Sequence, residues 1–134
     1  MKLVLKGLIL LNTIEMFGLW LTWMISPETA EGLFQVDAVN ITGMNSLKGD
    51  YAGLFLALGV FLVLFFIKGK QWLYPPAIAL ICIVFGRMIS LLVDGYDQQG
   101  AIGGLIELII AIIFITVAQS SPSDTNDSSE SLPQ

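Results

Sequence analysis

The chain has 134 residues, 55% hydrophobic and only 13% charged, with a mean hydropathy of +0.80 and a formal net charge of −5. That balance belongs to a helical membrane protein, leaves no soluble domain of useful size and gives no basis for binding nucleic acid. With no His and Cys82 as the single cysteine, disulfides, CxxC redox chemistry, a His/Cys metal site and haem ligation by His all lack their ligands, so neither metal nor cofactor is expected.

Hydropathy predicts four spans, at 3–25, 51–67, 73–93 and 101–118, each long enough or nearly so to cross a hydrocarbon core of about 30 Å. The second and fourth are short and extend by a turn into their flanks, through 48–50 and 98–100. The fold class is therefore all-α: a polytopic four-helix transmembrane bundle over residues 1–118. Met1 and Lys2 precede the first apolar run as they would in a signal peptide. The run exceeds a typical h-region, however, and Glu15 sits inside it, so the first helix is read as retained. Lys2 and Lys6 flank its start, and Lys68 and Lys70 fill the connection between the second and third spans. The positive-inside rule makes both regions cytoplasmic and the topology N-in/C-in. The loop 26–50, with Glu28, Glu31 and Asp37, then faces outward despite Lys48, as does the turn 94–100. Trp20, Trp23, Trp72 and Tyr74 fall near span ends, where interfacial aromatic anchors are expected. Asn40-Ile41-Thr42 is a glycosylation sequon that matters only in a eukaryotic secretory pathway. From residue 119 to 134 Ser, Asp, Asn and Pro dominate, and too little apolar surface is available to offset chain entropy. That segment reads as a disordered acidic cytoplasmic tail.

Small residues recur at helical spacing. Gly49, Gly53 and Ala57 repeat on the second span, Ala79, Cys82, Gly86 and Ser90 on the third, and Gly100, Gly104, Glu107 and Ala111 on the fourth. Such stripes let membrane helices approach closely, within a bundle or in a homodimer.

Arg87 and Glu107 are the charges placed deepest in the last two spans. Arg87 lies about 10 Å inside Asp94, and Glu107 about 9 Å past Ala101, so the two are level. A charge in hydrocarbon costs roughly 2.5 to 3.5 kcal/mol even on insertion-based scales, which makes mutual pairing or a functional cavity the expected setting. Ser90 and Asp94 share the Arg87 face at i+3 and i+7, offering the guanidinium a second carboxylate. Glu15 stands about 15 Å below Ile25, with Asn12, Gly18 and Thr22 on its face, and Asp50 opens the second span. If these faces converge, acids outnumber the single Arg, and carboxylates so crowded share protons. Proton-coupled and cation-binding sites are built this way, although an Arg–Glu pair also serves simply to lock a bundle.

The stretch from Asn45 to Ala57 that opens the second helix, then Gly86-Arg87 with Ser90, Asp94 and Gly95, and Glu107, resembles a bacterial four-helix membrane family catalogued as domain of unknown function 4345. The resemblance covers nearly the whole chain apart from the tail. It matches Asn45, Lys48, Gly53, Arg87, Ser90, Asp94, Gly95 and Glu107, with Lys48 where the family more usually has Arg, which disfavours bidentate recognition there. It implies a four-helix fold and no activity. A more distant likeness to DoxX-like four-helix membrane proteins brings in an association of some with quinone oxidoreductases.

Three functions fit these residues. One is a non-enzymatic protein of the cell membrane, by resemblance the bacterial cytoplasmic membrane, whose bundle binds a lipid, quinone-like or other small hydrophobic ligand near Arg87, Glu107 and Asp94. The second is a proton-coupled transporter working through Glu15, of the size of the small multidrug-resistance transporters. The third is a subunit or assembly factor whose small-residue stripes dock a membrane-protein partner. An enzyme fits least, because only carboxylate acid/base chemistry would be available to it.

Overall fold

In the computed structural model, which describes residues 3–120, the chain is built of helices and turns. Helix α1 (Leu3–Ile25) is a single 23-residue span. The chain turns at Ser26 into α2 (Pro27–Phe34), with Pro27 in the first turn, where its missing N–H leaves no orphan donor. Gln35, in the left-handed region at φ 52°, ends α2. Helix α3 (Ile41–Leu47) is N-capped by Asn40, whose Oδ1 accepts from the Gly43 N–H at 2.8 Å. It runs without a break through a π-helical turn (Lys48–Ala52) into α4 (Gly53–Lys68). Gly69 at φ 107° breaks the helix in a conformation that side-chain-bearing residues rarely adopt. A 3₁₀ turn (Lys70–Leu73) then leads into α5 (Tyr74–Val93). After a turn through Gly95, Asp97 caps α6 (Gln98–Gln119), its carboxylate accepting from the N–H groups of Gln99 and Gly100.

The predicted spans differ from these helices mainly at the second. Helix runs unbroken for 28 residues, from Ile41 to Lys68, where hydropathy starts the span at Tyr51. Lys48, Gly49 and Asp50 depress the apolar signal without interrupting the backbone hydrogen bonding. The segment 26–50, read as an outer loop, accordingly holds two capped helices. The segment read as a tail enters the helix at Gln119, and its residues 121–134 lie outside the described residues.

Four helices are long and apolar enough to cross a membrane, and each carries exposed apolar side chains, among them Leu10 and Ile14, Val60 and Phe66, Phe85 and Ile89, and Leu105 and Ile109. Water does not tolerate such a surface at this density, and the chain is a multi-pass membrane protein. Helix α1 packs along α4, and α5 along α6. The two pairs join through a core drawn from all four spans: Ile9 of α1, Leu62 and Phe65 of α4, Ala77 and Leu80 of α5, and Ala111, Phe114 and Val117 of α6, with Leu73 of the 3₁₀ turn. This is the Lys70 end of the bundle. There the Lys70 ammonium donates to the Ser120 carbonyl at 2.7 Å and its Oγ at 2.9 Å, closing the C-terminus of α6 onto the α4–α5 turn.

The opposite end carries a second cluster, built on α1, α2 and the π-helical turn. Trp23, wholly buried, stacks between Phe34 and Tyr51 at ring-centre distances of 5.9 and 5.4 Å, over Ala30 and Ala52. Trp23 is thus a core residue, where position alone suggested an interfacial anchor. Trp72 is partly buried, stacking on Phe61 at 6.2 Å beneath the Lys68 ammonium.

The small-residue stripes take a different part from the one their spacing suggests. A Cβ at Gly49, Gly53 or Gly86 would meet nothing within 4 Å, and Ala57 is exposed. These faces point away from the bundle's own contacts. At Gly100 an added Cβ would meet only the capping carboxylate of Asp97, 2.8 Å away. Gly104 does sit against another helix, its Cβ position 3.4 Å from the Arg87 Cδ of α5. The closest approach of a span to a glycine falls elsewhere, where Phe17 of α1 lies 3.1 Å from a Cβ position on Gly59.

Candidate functional site

A cavity of about 550 Å³ opens among all four spans on the Tyr51 side of the core. Its floor is Leu80, which belongs to that core, and Leu58 and Ile110 rise from it. Phe34, Tyr51 and Phe55 line it from α2, the π-helical turn and α4, so the aromatic cluster that buries Trp23 also forms one wall. Its polar groups are few: Asn12 and Glu15 from α1, the Tyr51 hydroxyl, and Arg87 and Glu107 from α5 and α6.

Arg87 and Glu107 form a side-on, two-bond ion pair, with Nε to Oε2 at 2.9 Å and Nη2 to Oε1 at 3.0 Å. It is the single ion pair among the described residues. The planar fork of a guanidinium matches a carboxylate in this way where an ammonium cannot, and two charge-assisted bonds fix direction as well as distance. The fork reaches α6 because two successive glycines clear its path. The guanidinium lies 3.6 Å from a Cβ position on Gly103, and the Arg87 Cδ lies 3.4 Å from one on Gly104. A Cβ at either position would rest in ordinary contact with the arm that spans the two helices, and any larger side chain would crowd it.

Asp94 takes no part in this pair. Its Oδ2 accepts from Ser90 Oγ at 2.9 Å at the exposed end of α5. The expected second carboxylate for Arg87 is thus bound locally, because the guanidinium is turned across α6 toward Glu107. Asp50, Lys48 and Asn45 also lie outside the cavity wall. Asp50 is exposed on the π-helical turn, while its neighbour Tyr51, rotated about the helix axis by one residue, lines the cavity.

Glu15 does line the cavity. Its Oε2 accepts from Asn12 Nδ2 at 3.2 Å, a hydrogen bond within α1, and among the described residues no cation pairs with it. Glu15 and Asn12 also border a smaller groove of about 200 Å³ between α1 and α6, otherwise walled by apolar side chains such as Leu8, Leu11 and Ile113. No three metal-ligating side chains come together among the described residues.

Residue counting thus placed Arg87, Glu107 and Glu15, and the structure gathers them around one cavity. It did not find Tyr51, Phe34 or Phe55, which come from a segment read as loop or from the start of a span. The one available signal was Gly103-Gly104. Two adjacent glycines inside an apolar helix carry a propensity cost that close approach by another group explains. Compared with protein-family models, curated proteins and solved structures, the chain matches none.

Proposed function

We propose that this chain is a small binding protein of the bacterial cytoplasmic membrane, with both termini cytoplasmic, that holds an amphiphilic molecule such as a lipid or quinone-like compound between its four spans. The observation that carries this reading is the cavity itself. Its volume, about 550 Å³, falls within the range of roughly 300 to 1,000 Å³ typical of small-molecule sites, and mostly apolar walls with a few convergent polar groups are what such sites share. Lys6, Lys68 and Lys70 all lie at the Lys70 end, which supports placing that end in the cytoplasm. The bacterial setting and a kinship with the domain of unknown function 4345 family rest on the resemblance around Asn45, Arg87 and Glu107.

The test is thermal unfolding of the detergent-purified chain with added lipids, quinones and amphiphiles of either charge. A ligand present at 100 times its Kd stabilises the fold by about 2.7 kcal/mol, a shift of several degrees. A Leu58→Trp variant, which fills the cavity from its α4 wall, should lose that shift while still unfolding cooperatively. A screen in which no amphiphile moves the wild-type transition would sink the proposal.

A further inference from the structure

The cavity's charges do not cancel. Its titratable side chains are Glu15 from α1, Tyr51 from the π-helical turn, Arg87 from α5 and Glu107 from α6. Arg87 and Glu107 neutralise one another through two hydrogen bonds, and the Tyr51 phenol carries no formal charge. Glu15 is left over. Its one partner is the Asn12 amide, which occupies Oε2 and leaves Oε1 without a donor among the described residues. The carboxylate stands about 15 Å from the Ile25 end of α1, in the middle of a span, where an uncompensated charge is costly.

Three kinds of head group could meet this carboxylate, and they are not equivalent. An anion would add a second negative charge to a cavity already one in excess. A neutral carbonyl compound would find donors on Arg87, which is partly exposed, but would leave Glu15 uncompensated. A cation brings the formal charge to zero, and aromatic rings lining the same cavity offer a surface to its apolar body.

We propose that the cavity's ligand is an amphiphilic monocation, its ammonium- or phosphonium-like head at Glu15 and its apolar body against Phe34, Tyr51 and Phe55. This inference rests on the amphiphile-binding reading above and specifies the sign of the head group. Arg87 then serves as the clamp that holds Glu107 out of competition for the ligand. The groove between α1 and α6 reaches the same carboxylate along apolar walls, so a cation dissolved in lipid has a lateral path to it.

The experiment uses the full chain in detergent micelles and equilibrium dialysis against three probes of nearly the same shape: tetraphenylphosphonium, tetraphenylborate and triphenylphosphine oxide. Melting curves run in parallel on every variant. The phosphonium is expected to bind saturably and at least about ten-fold more tightly than either of the others. Glu15→Gln should remove about ten-fold of that affinity or more without lowering the melting temperature, and Glu15→Asp should keep most of it. If the borate or the oxide binds as tightly as the phosphonium, and Glu15→Gln changes nothing, the cation assignment falls while the amphiphile-binding reading stands. If none of the three binds saturably and none moves the melting temperature, both fall together.

Discussion

At the Lys70 end the four spans meet side chain to side chain, through Ile9, Leu62, Phe65, Leu80 and Phe114. At the Tyr51 end, α1 and α4 stay together beneath α2 and the aromatic cluster around Trp23, while the cavity separates them from α5 and α6. The difference shows how one short chain divides its labour. Lipid is as apolar as leucine, so burial against it gives helices no hydrophobic reason to associate, and close packing must hold them. One end supplies that packing across all four spans, which leaves the other free to keep a hollow and an ion pair.

Breaking the packing at each end should therefore have different reach. Phe114→Ala and Trp23→Ala are both expected to cost about 3 kcal/mol, at the lower edge of the range for large aromatic truncations because lipid replaces part of the lost transfer energy. Phe114→Ala should raise hydrogen exchange in all four spans. Trp23→Ala should raise it chiefly in α2 and the π-helical turn. Uniform exchange changes in both variants would erase the distinction between the two ends.

A smaller effect is expected at the ion pair, about 2 kcal/mol for Arg87→Ala or Glu107→Ala alone, since each leaves a charge without its partner inside the bundle. The double variant should cost less than the sum of the two, with a coupling of about 1 kcal/mol or more by a four-way comparison of unfolding free energies. Smaller again is Gly104→Val, about 1 kcal/mol, because its branches push against the Arg87 arm. In the Arg87→Ala background the same substitution should cost nothing further. At the bottom of the scale, Asn40→Ala removes the cap of α3 and should cost about 0.5 to 1 kcal/mol, seen as local fraying with the spans unaffected.

The spans were legible because each is a continuous apolar run, and a run of that length has one use. Depth was legible too, since 1.5 Å per residue converts sequence position into height and sets Arg87 beside Glu107. Facing was not. Whether Asp94 turns toward Arg87 or down to Ser90 depends on the choice of one rotamer, and no periodicity encodes it. Trp23 illustrates the same ambiguity at the end of a span, where an aromatic ring serves either as an interfacial anchor or as a core residue. Only the unforeseen helix α2, whose Phe34 covers it, decides which. Short helices such as α2 and α3 have too few turns for an apolar stripe to stand out, and the residues that start them, Pro27 in the first turn of α2 and Asn40 at the N-cap of α3, are equally at home in loops.

The π-helical turn at Lys48–Ala52 sets the rotational phase between α3 and α4. Each residue of an α-helix advances the chain by about 100°, and a π turn is wound more widely, so one residue is accommodated there that an ordinary helix would pass on as a twist. Excising a single residue from these five lets the backbone close as plain α-helix while α3 keeps nearly its present facing, whereas the same excision from ordinary helix would swing every side chain of α3 by about 100°. The span below keeps its seat on Phe17 and the core. The turn therefore stores one residue of slack in the helix, which can be lost without re-aiming the segment that leads in from Asn40.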